Sequence, residues 1–208
     1  THDEEFAQKC YSFHNQGQGK QHAEYNPGAG TRGTNMRMTE FQGGILLAQM
    51  TRIAEQCKRR TQNAAYLNKL LSEIPGITPA KLYDGTSASA YHLYMFRYDK
   101  NYFAGLSRAA FISALQAEGI PCSGGYGMIN KDKYVTELAQ NRHYLKIYGE
   151  KMMKEWLERN QCPQNDILST EQAVWFTQNM LLGTVNDMEQ IAASIRKIQK
   201  HAPTLNKR

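Results

Sequence analysis

The stretch GTNMRMTEFQGGILLAQ, residues 33–49, decides how the rest of the chain is read. Thr39 followed three residues later by Gln42 has the spacing of a capping box. The threonine hydroxyl takes an orphan N–H of the first helical turn, and the glutamine side chain returns to the cap's own N–H. A polar, glycine-rich loop precedes the box, and no proline follows until Pro75. The pattern predicts one helix from about Thr39 to Ile74, on the order of 50 Å long at roughly 1.5 Å per residue. That exceeds what one small domain needs, so the helix reads as a strut between two bodies. Phe41, Ile45, Met50, Ile53 and Cys57 recur at mostly three- and four-residue steps, and Ala64, Leu67, Leu71 and Ile74 do so again. Gly43 and Gly44 each cost about 1 kcal/mol relative to alanine in a helix, which is tolerable where another backbone passes close by. Pro75-Gly76 ends the helix.

Toward the N-terminus, residues 3–13 fit the end of another helix with Phe6, Cys10 and Phe13 on one face. Residues 14–35 hold five of the 16 glycines and one proline, so they form either a flexible linker or a loop whose backbone approaches a ligand closely. Gly17-x-Gly19-Lys20 lacks the spacing and the following helix of a P-loop and is discounted.

Toward the C-terminus, AYHLYMFRY at 90–98 reads as an aromatic strand running into the turn Asp99-Lys100-Asn101. Ser107 caps the next helix, with Leu106 stapled onto Phe111. Phe111, Ile112 and Leu115 form its buried face and Gly119 is its stop. Ile120-Pro121-Cys122 starts a second strand or extended piece before the glycine loop at 123–127. Residues 142–158 form a basic amphipathic helix with Ile147, Met152 and Trp156 inward. A short helical turn at 170–173 leads into a buried strand at 174–182. Asn186-x-x-Glu189 caps the last helix, whose stripe is Met188, Ile191, Ile195 and Ile198, with Lys197, Lys200 and His201 at the negative end of its dipole. The order β-α-β, helical excursion, β-α predicts an α/β layer with helices on a small sheet.

The totals are those of an ordinary globular chain: 208 residues, 41% hydrophobic and 21% charged. No run approaches a membrane span of roughly 18 apolar residues, and THDEEFAQKC has no leader pattern, so a cytoplasmic protein is expected. The net charge of +6 raises nucleic acid as a partner. The basic residues are scattered, however, with CKRR at 57–60 the densest cluster, and no nucleic-acid-binding signature accompanies them. Cys10, Cys57, Cys122 and Cys162 form no CxxC pair, and the histidines lack HExxH or HxH spacing, so no metal site is expected.

GTNMRMTEFQGGILLAQM, the Arg59-Arg60-x-x-Asn63-Ala64-x-Tyr66-Leu67 run and Ile74-Pro75-Gly76-Ile77 resemble the DegT/StrS family of pyridoxal-phosphate-dependent sugar aminotransferases. So do YHLYMFRYD, SRAAFISALQAEGIPCSGGY and LLGTVNDMEQIAASIRKI, in the family's order. The G-x-N-x-R-M-T-E-x-Q element is specific, and the other segments are weak singly and strong together. The fold implied is α/β: the C-terminal portion of a fold-type-I aminotransferase, a long connecting helix plus a small α/β domain. Residues 1–45 would then end the large cofactor domain, 46–74 form the connecting helix and 75–208 the small domain.

The resemblance also implies roles. Asn35 would reach the pyridoxal 5'-phosphate phosphate of the partner subunit in a homodimer, and Arg37, facing the same shared site, would pair with anionic substrate groups. A local reading competes, in which Asn35 forms a turn and Arg37 pairs with a nearby carboxylate. Tyr126 would lie near the substrate; the histidine that often precedes it in the family is here Gly125, which leaves room for a free cyclitol or other polyol ketone. His92 and Arg97 read as structural, and nothing selects His14 or His22. No lysine stands in the family's Schiff-base context, so no catalytic residue is assigned and the polypeptide is expected to be inactive alone. The parent would move an amino group from glutamate or glutamine to a keto-sugar or keto-cyclitol. The alternative is a stand-alone, non-catalytic dimerisation or partner-binding module using the long helix.

Overall fold

The computed structural model describes residues 1–17 and 32–206. His22, Gly19-Lys20 and most of the glycine-rich loop lie outside the described residues. The chain divides into two compact units, Thr1–Ala54 and Glu55–Arg208.

In the first unit, helix α1 (Glu4–His14) starts at Asp3, whose side chain accepts the Phe6 N–H. Its apolar face, Phe6 and Phe13, is exposed rather than buried. Residues 33–36 run back along the end of α1. Thr34 N–H donates to Phe13 O at 2.9 Å, Met36 N–H to His14 O at 2.9 Å and Gln16 N–H to Thr34 O at 3.1 Å. Gly33 is required for this approach, since a Cβ there would sit 2.3 Å from Phe13 O. The capping box forms as read: Thr39 N–H donates to Gln42 Oε1 at 2.9 Å, and Gln42 N–H to Thr39 Oγ1 at 3.2 Å. Helix α2 then runs over Glu40–Ser72. The apolar residues of its first part, Phe41, Ile45, Met50 and Ile53, are exposed. A Cβ on Gly44 would meet nothing within 4 Å, so no described backbone presses on that turn.

The second unit is built on a three-stranded antiparallel sheet in the order β1 (Ile77–Pro79), β2 (Leu93–Tyr98), β3 (Ala173–Thr177). Strand alternation sends Tyr94, Phe96 and Tyr98 to one face, together with Val174 and Phe176 of β3, and all are buried. The later part of α2 (Ala64, Leu67, Leu71), helix α3 (Arg108–Ala117; Phe111, Leu115) and helix α7 (Val185–Leu205; Met188, Ile191, Ile195, Ile198) join the same hydrophobic core. Asn63 Nδ2 ties α2 to Leu181 O and Gly183 O, both at 2.9 Å. The two buried tyrosines keep their hydroxyls satisfied: Tyr94 donates to Asn68 Oδ1 at 2.6 Å and Tyr98 to Leu106 O at 2.7 Å.

Several expectations are corrected here. The first sheet strand is β1, too short and proline-bearing to show periodicity; it pairs with β2 through Ile77↔Tyr98 and is an edge, where proline is tolerated. Residues 120–122 are not a strand, and only Ser123 bridges to Trp175. The strand expected over 174–182 stops at Thr177, where a 3₁₀ turn (Gln178–Leu182) begins. Short helices α4 (Lys133–Glu137) and α6 (Pro163–Ile167) flank α5 (Arg142–Arg159). In α5, Gly149 is non-helical, with φ 76° and ψ 158°. Met153 is buried, whereas Ile147 and Met152, expected to face inward, are exposed.

Helix α7 is capped by Thr184 and Asp187 rather than Asn186 and Glu189; Glu189 instead accepts the Tyr66 hydroxyl at 2.8 Å. It also continues to Leu205, so Lys197, Lys200 and His201 are not in its last turn, and Lys197 pairs with Glu118 at 2.8 Å. The Thr184 N–H, donating at 2.6 Å, and then its hydroxyl, at 2.8 Å, hold the Asp187 carboxyl below the ordinary carboxylate range. A carboxyl whose folded pKa is depressed adds stability that is present at neutral pH and lost as the pH falls through the folded value. Asp187→Asn should therefore flatten the acid limb of the unfolding curve below about pH 4, followed by circular dichroism. An unchanged acid limb would mean the cap contributes nothing.

Candidate functional site

Asn35 and Arg37 stand in the first unit on the segment clipped to the end of α1 and just ahead of the Thr39 cap. Asn35 bridges to Asn15 through the backbone, and its Oδ1 accepts the Arg37 N–H at 3.2 Å, the side-chain-to-backbone bond of an Asx turn. The turn half of the local reading is thus present. The carboxylate half is not: the Arg37 guanidinium donates to the amide oxygen of Asn15, and no described carboxylate lies within ion-pair distance of it. An amide oxygen orients a guanidinium without neutralising its charge. Both residues are exposed. With Asn35 Oδ1 engaged, that side chain has its Nδ2 donors to offer beside a cation that no described carboxylate neutralises. Such a donor set fits a phosphate or carboxylate and covers only part of one. His14, at the same helix end, has its Nδ1 2.6 Å from Tyr11 O.

Tyr126 stands in the second unit on the loop at 123–127, which is strapped to β3. Ser123 N–H donates to Trp175 O at 3.1 Å and Trp175 N–H to Ser123 O at 2.9 Å. Arg108 Nη1 donates to Gly124 O at 3.2 Å and Ala173 O at 3.1 Å, and burial pulls its guanidinium below the usual value. Gly125 has φ +83°, and a Cβ there would come within 2.2 Å of the Trp175 ring. The indole fills the space that a side chain at this position would need. The Tyr126 ring meets Trp175 edge-on, centroids 4.9 Å apart, and is 68% exposed.

That loop borders an open cleft of about 1210 Å³ over the outer face of the sheet, lined among others by Met95, Arg97, Tyr126, Trp156 and Trp175. Arg97, read from the sequence as structural, is exposed and makes no hydrogen bond or ion pair to any described residue. His92 is exposed ahead of β2. Trp175 was legible only as part of a buried strand; the alternation Val174 in, Trp175 out, Phe176 in was the signal available. Burial pushes the Cys122 thiol up to about 11, which disfavours the thiolate. Among the described residues no group of His, Cys, Asp and Glu is placed to hold a metal ion, and no helix is long and apolar enough to cross a membrane.

The fold is that of part of a fold-type-I aminotransferase. The structure superposes on 3-amino-5-hydroxybenzoic acid synthase with a TM-score of 0.73 at 23% identity, covering 95% of this chain and 47% of that one. It superposes on DesI, solved in the presence of its TDP-sugar product, with a TM-score of 0.66 at 18% identity, covering 100% of this chain and 46% of that one. In sequence it is 31% identical over 170 residues to the L-glutamine:2-deoxy-scyllo-inosose aminotransferase of Streptoalloteichus tenebrarius, covering 81% of this chain and 39% of that protein. Residues 1–163 match the profile of the DegT/DnrJ/EryC1/StrS aminotransferase family, and the chain belongs to that family. The cofactor of these enzymes is pyridoxal 5'-phosphate. The chain spans 39% of the length of the first of these relatives and about half of each solved structure.

Proposed function

We propose that this chain is the portion of a pyridoxal-phosphate-dependent aminotransferase that completes a shared active site and performs no transfer alone. The observation that carries this reading is the exposed Asn35–Arg37 pair, a set of donors with no described carboxylate to receive. Bound pyridoxal phosphate supplies the electron sink for amino transfer. Asn35 would hold its phosphate across a homodimer, Arg37 would pair with an anionic group of the substrate, and Tyr126 would contact the acceptor. The Schiff-base lysine belongs to the portion of the enzyme outside this chain. The names of the similar enzymes support glutamine, with glutamate as the related choice, as amino donor and a keto-cyclitol or keto-sugar as acceptor. Residues 1–45 then end the large domain, 46–74 connect and 75–208 form the small domain of a cytoplasmic enzyme; the change of unit at Ala54 supports a boundary inside α2.

The exposed Phe41, Leu47 and Met50 call for a covering surface, which the missing portion or a second subunit supplies. They equally favour the second reading, a non-catalytic module that binds a partner through α2. Cofactor fixation separates the two. After incubation with pyridoxal phosphate and borohydride reduction, the intact mass of the chain alone should be unchanged. With a large-domain polypeptide added, the cofactor should be fixed stoichiometrically on that companion. Fixation at a single lysine of this chain would overturn the proposal, and no fixation with the companion would favour the partner-binding module.

A further inference from the structure

The CKRR run at 57–60, the densest basic cluster of the sequence, has no part in the proposed transfer. Its last member, Arg60 on α2, is only 8% exposed. Arg60 Nη1 donates to Gln178 Oε1 at 2.7 Å and Nη2 to Cys57 Sγ at 3.4 Å, while the buried Nε has no partner among the described residues. No described carboxylate lies within ion-pair distance of this guanidinium. A buried charge is costly unless an opposite charge accompanies it, and the Gln178 amide oxygen supplies only a dipole. Of the two groups that accept hydrogen bonds from Arg60, the Cys57 sulfur alone can become an anion. The three-residue step along the helix brings the two side chains together. Cys57 is half-buried, so a reagent from solvent reaches its sulfur.

We propose that Cys57 is a site of reversible thiolation, its thiolate paired with the Arg60 guanidinium and reactive toward small disulfides that carry carboxylates. In that step the Cys57 sulfur gives an electron pair to one sulfur of the disulfide, and a new S–S bond forms. The old S–S bond breaks, and its electron pair leaves on the second sulfur as a thiolate. The disulfide is thus the oxidant, no proton moves, and the guanidinium keeps its charge. Lys58 and Arg59 beside the cysteine are exposed, and Glu55 approaches Arg59 only to 3.9 Å. The approach to Cys57 is therefore positive, which favours an anionic reagent over a cationic one. The site goes beyond the proposed transfer, because it needs neither the cofactor nor a companion polypeptide.

The reduced chain is treated with glutathione disulfide at about pH 7, quenched with acid at intervals and mapped by peptide mass. A free thiol is only a few per cent thiolate at that pH. Cys57 should therefore be thiolated about tenfold faster than Cys10 and Cys162, although both of those are exposed. Dithiothreitol should restore the original mass. With cystamine, whose arms are cationic, the preference for Cys57 over Cys162 should shrink. Arg60→Met should bring Cys57 down to the rate of Cys162, and Arg60→Lys, which keeps the charge, should retain most of the preference. Should Arg60→Met fail to fold by circular dichroism, the ultraviolet absorbance of the thiolate decides, since Cys57→Ser should remove it from the chain. The proposal is overturned if Cys57 reacts no faster than Cys10 and Cys162, or if folded Arg60→Met keeps the preference. It is overturned equally if Cys57→Ser leaves the thiolate absorbance unchanged, and an undiminished preference with cystamine overturns the selectivity for carboxylates. Each of these results leaves the transfer reading standing, since cofactor fixation tests that separately.

Discussion

Phe111→Ala should destabilise the unit Glu55–Arg208 by about 3–5 kcal/mol, read from the urea midpoint at constant slope. The ring is fully buried, stacks on Tyr98 with centroids 4.3 Å apart and meets Phe103 edge-on at 5.4 Å. Deleting it removes transfer free energy and leaves a cavity that neighbours on β2 and α3 cannot close, because both elements are pinned. Ser107 caps α3 by accepting Ala110 N–H at 3.2 Å, and the Tyr98 hydroxyl is held by Leu106 O. Ile112→Ala, at a half-buried position one residue on, should cost well under half as much. Similar losses for both would show that burial along α3 is uniform and that the aromatic cluster is not the centre of the core.

Arg37→Ala should act on chemistry and leave stability alone. Its side chain is exposed and its described partner is one amide oxygen, so melting should not move. In the enzyme assembled with a large-domain polypeptide, a lost hydrogen bond to a charged group is worth about 1.5–3 kcal/mol, or ten- to hundredfold. That loss should fall on the KM of the keto acceptor, while the rate of the donor half-reaction stays near its original value. Asn35→Ala should instead weaken both half-reactions, because the cofactor phosphate is present in each. Equal losses for Arg37→Ala in both half-reactions would give Arg37 a cofactor or structural role.

Features that rest on neighbours in the chain were legible before the fold was known. The Thr39–Gln42 box, the Leu106–Ser107–Phe111 staple with its Gly119 stop, and the Met188–Ile198 stripe each need only helical spacing. Where two local solutions competed, spacing did not choose between them: Thr184-x-x-Asp187 and Asn186-x-x-Glu189 both have the spacing of a box, and the first forms while Glu189 accepts the Tyr66 hydroxyl. β1 escaped notice because three residues carry no period, and its pairing with β2 is what makes it a strand. Gly149 could not be distinguished from a tolerated helical glycine until its φ was seen. The site divided in the same way. Asn35 and Arg37 came from a contiguous motif, whereas Arg97 and Trp175, far apart in the chain, become neighbours only through the register of β2 and β3.

The central claim, that this chain completes an active site whose lysine lies elsewhere, is tested most directly by reconstitution. The chain and a large-domain polypeptide are assayed separately and together for amination of a keto-cyclitol by glutamine. Each alone should be inactive, and the mixture should turn over in a manner that depends on Asn35 and Arg37. Transamination by the chain alone, or a stable but inactive complex of the two, would contradict the account.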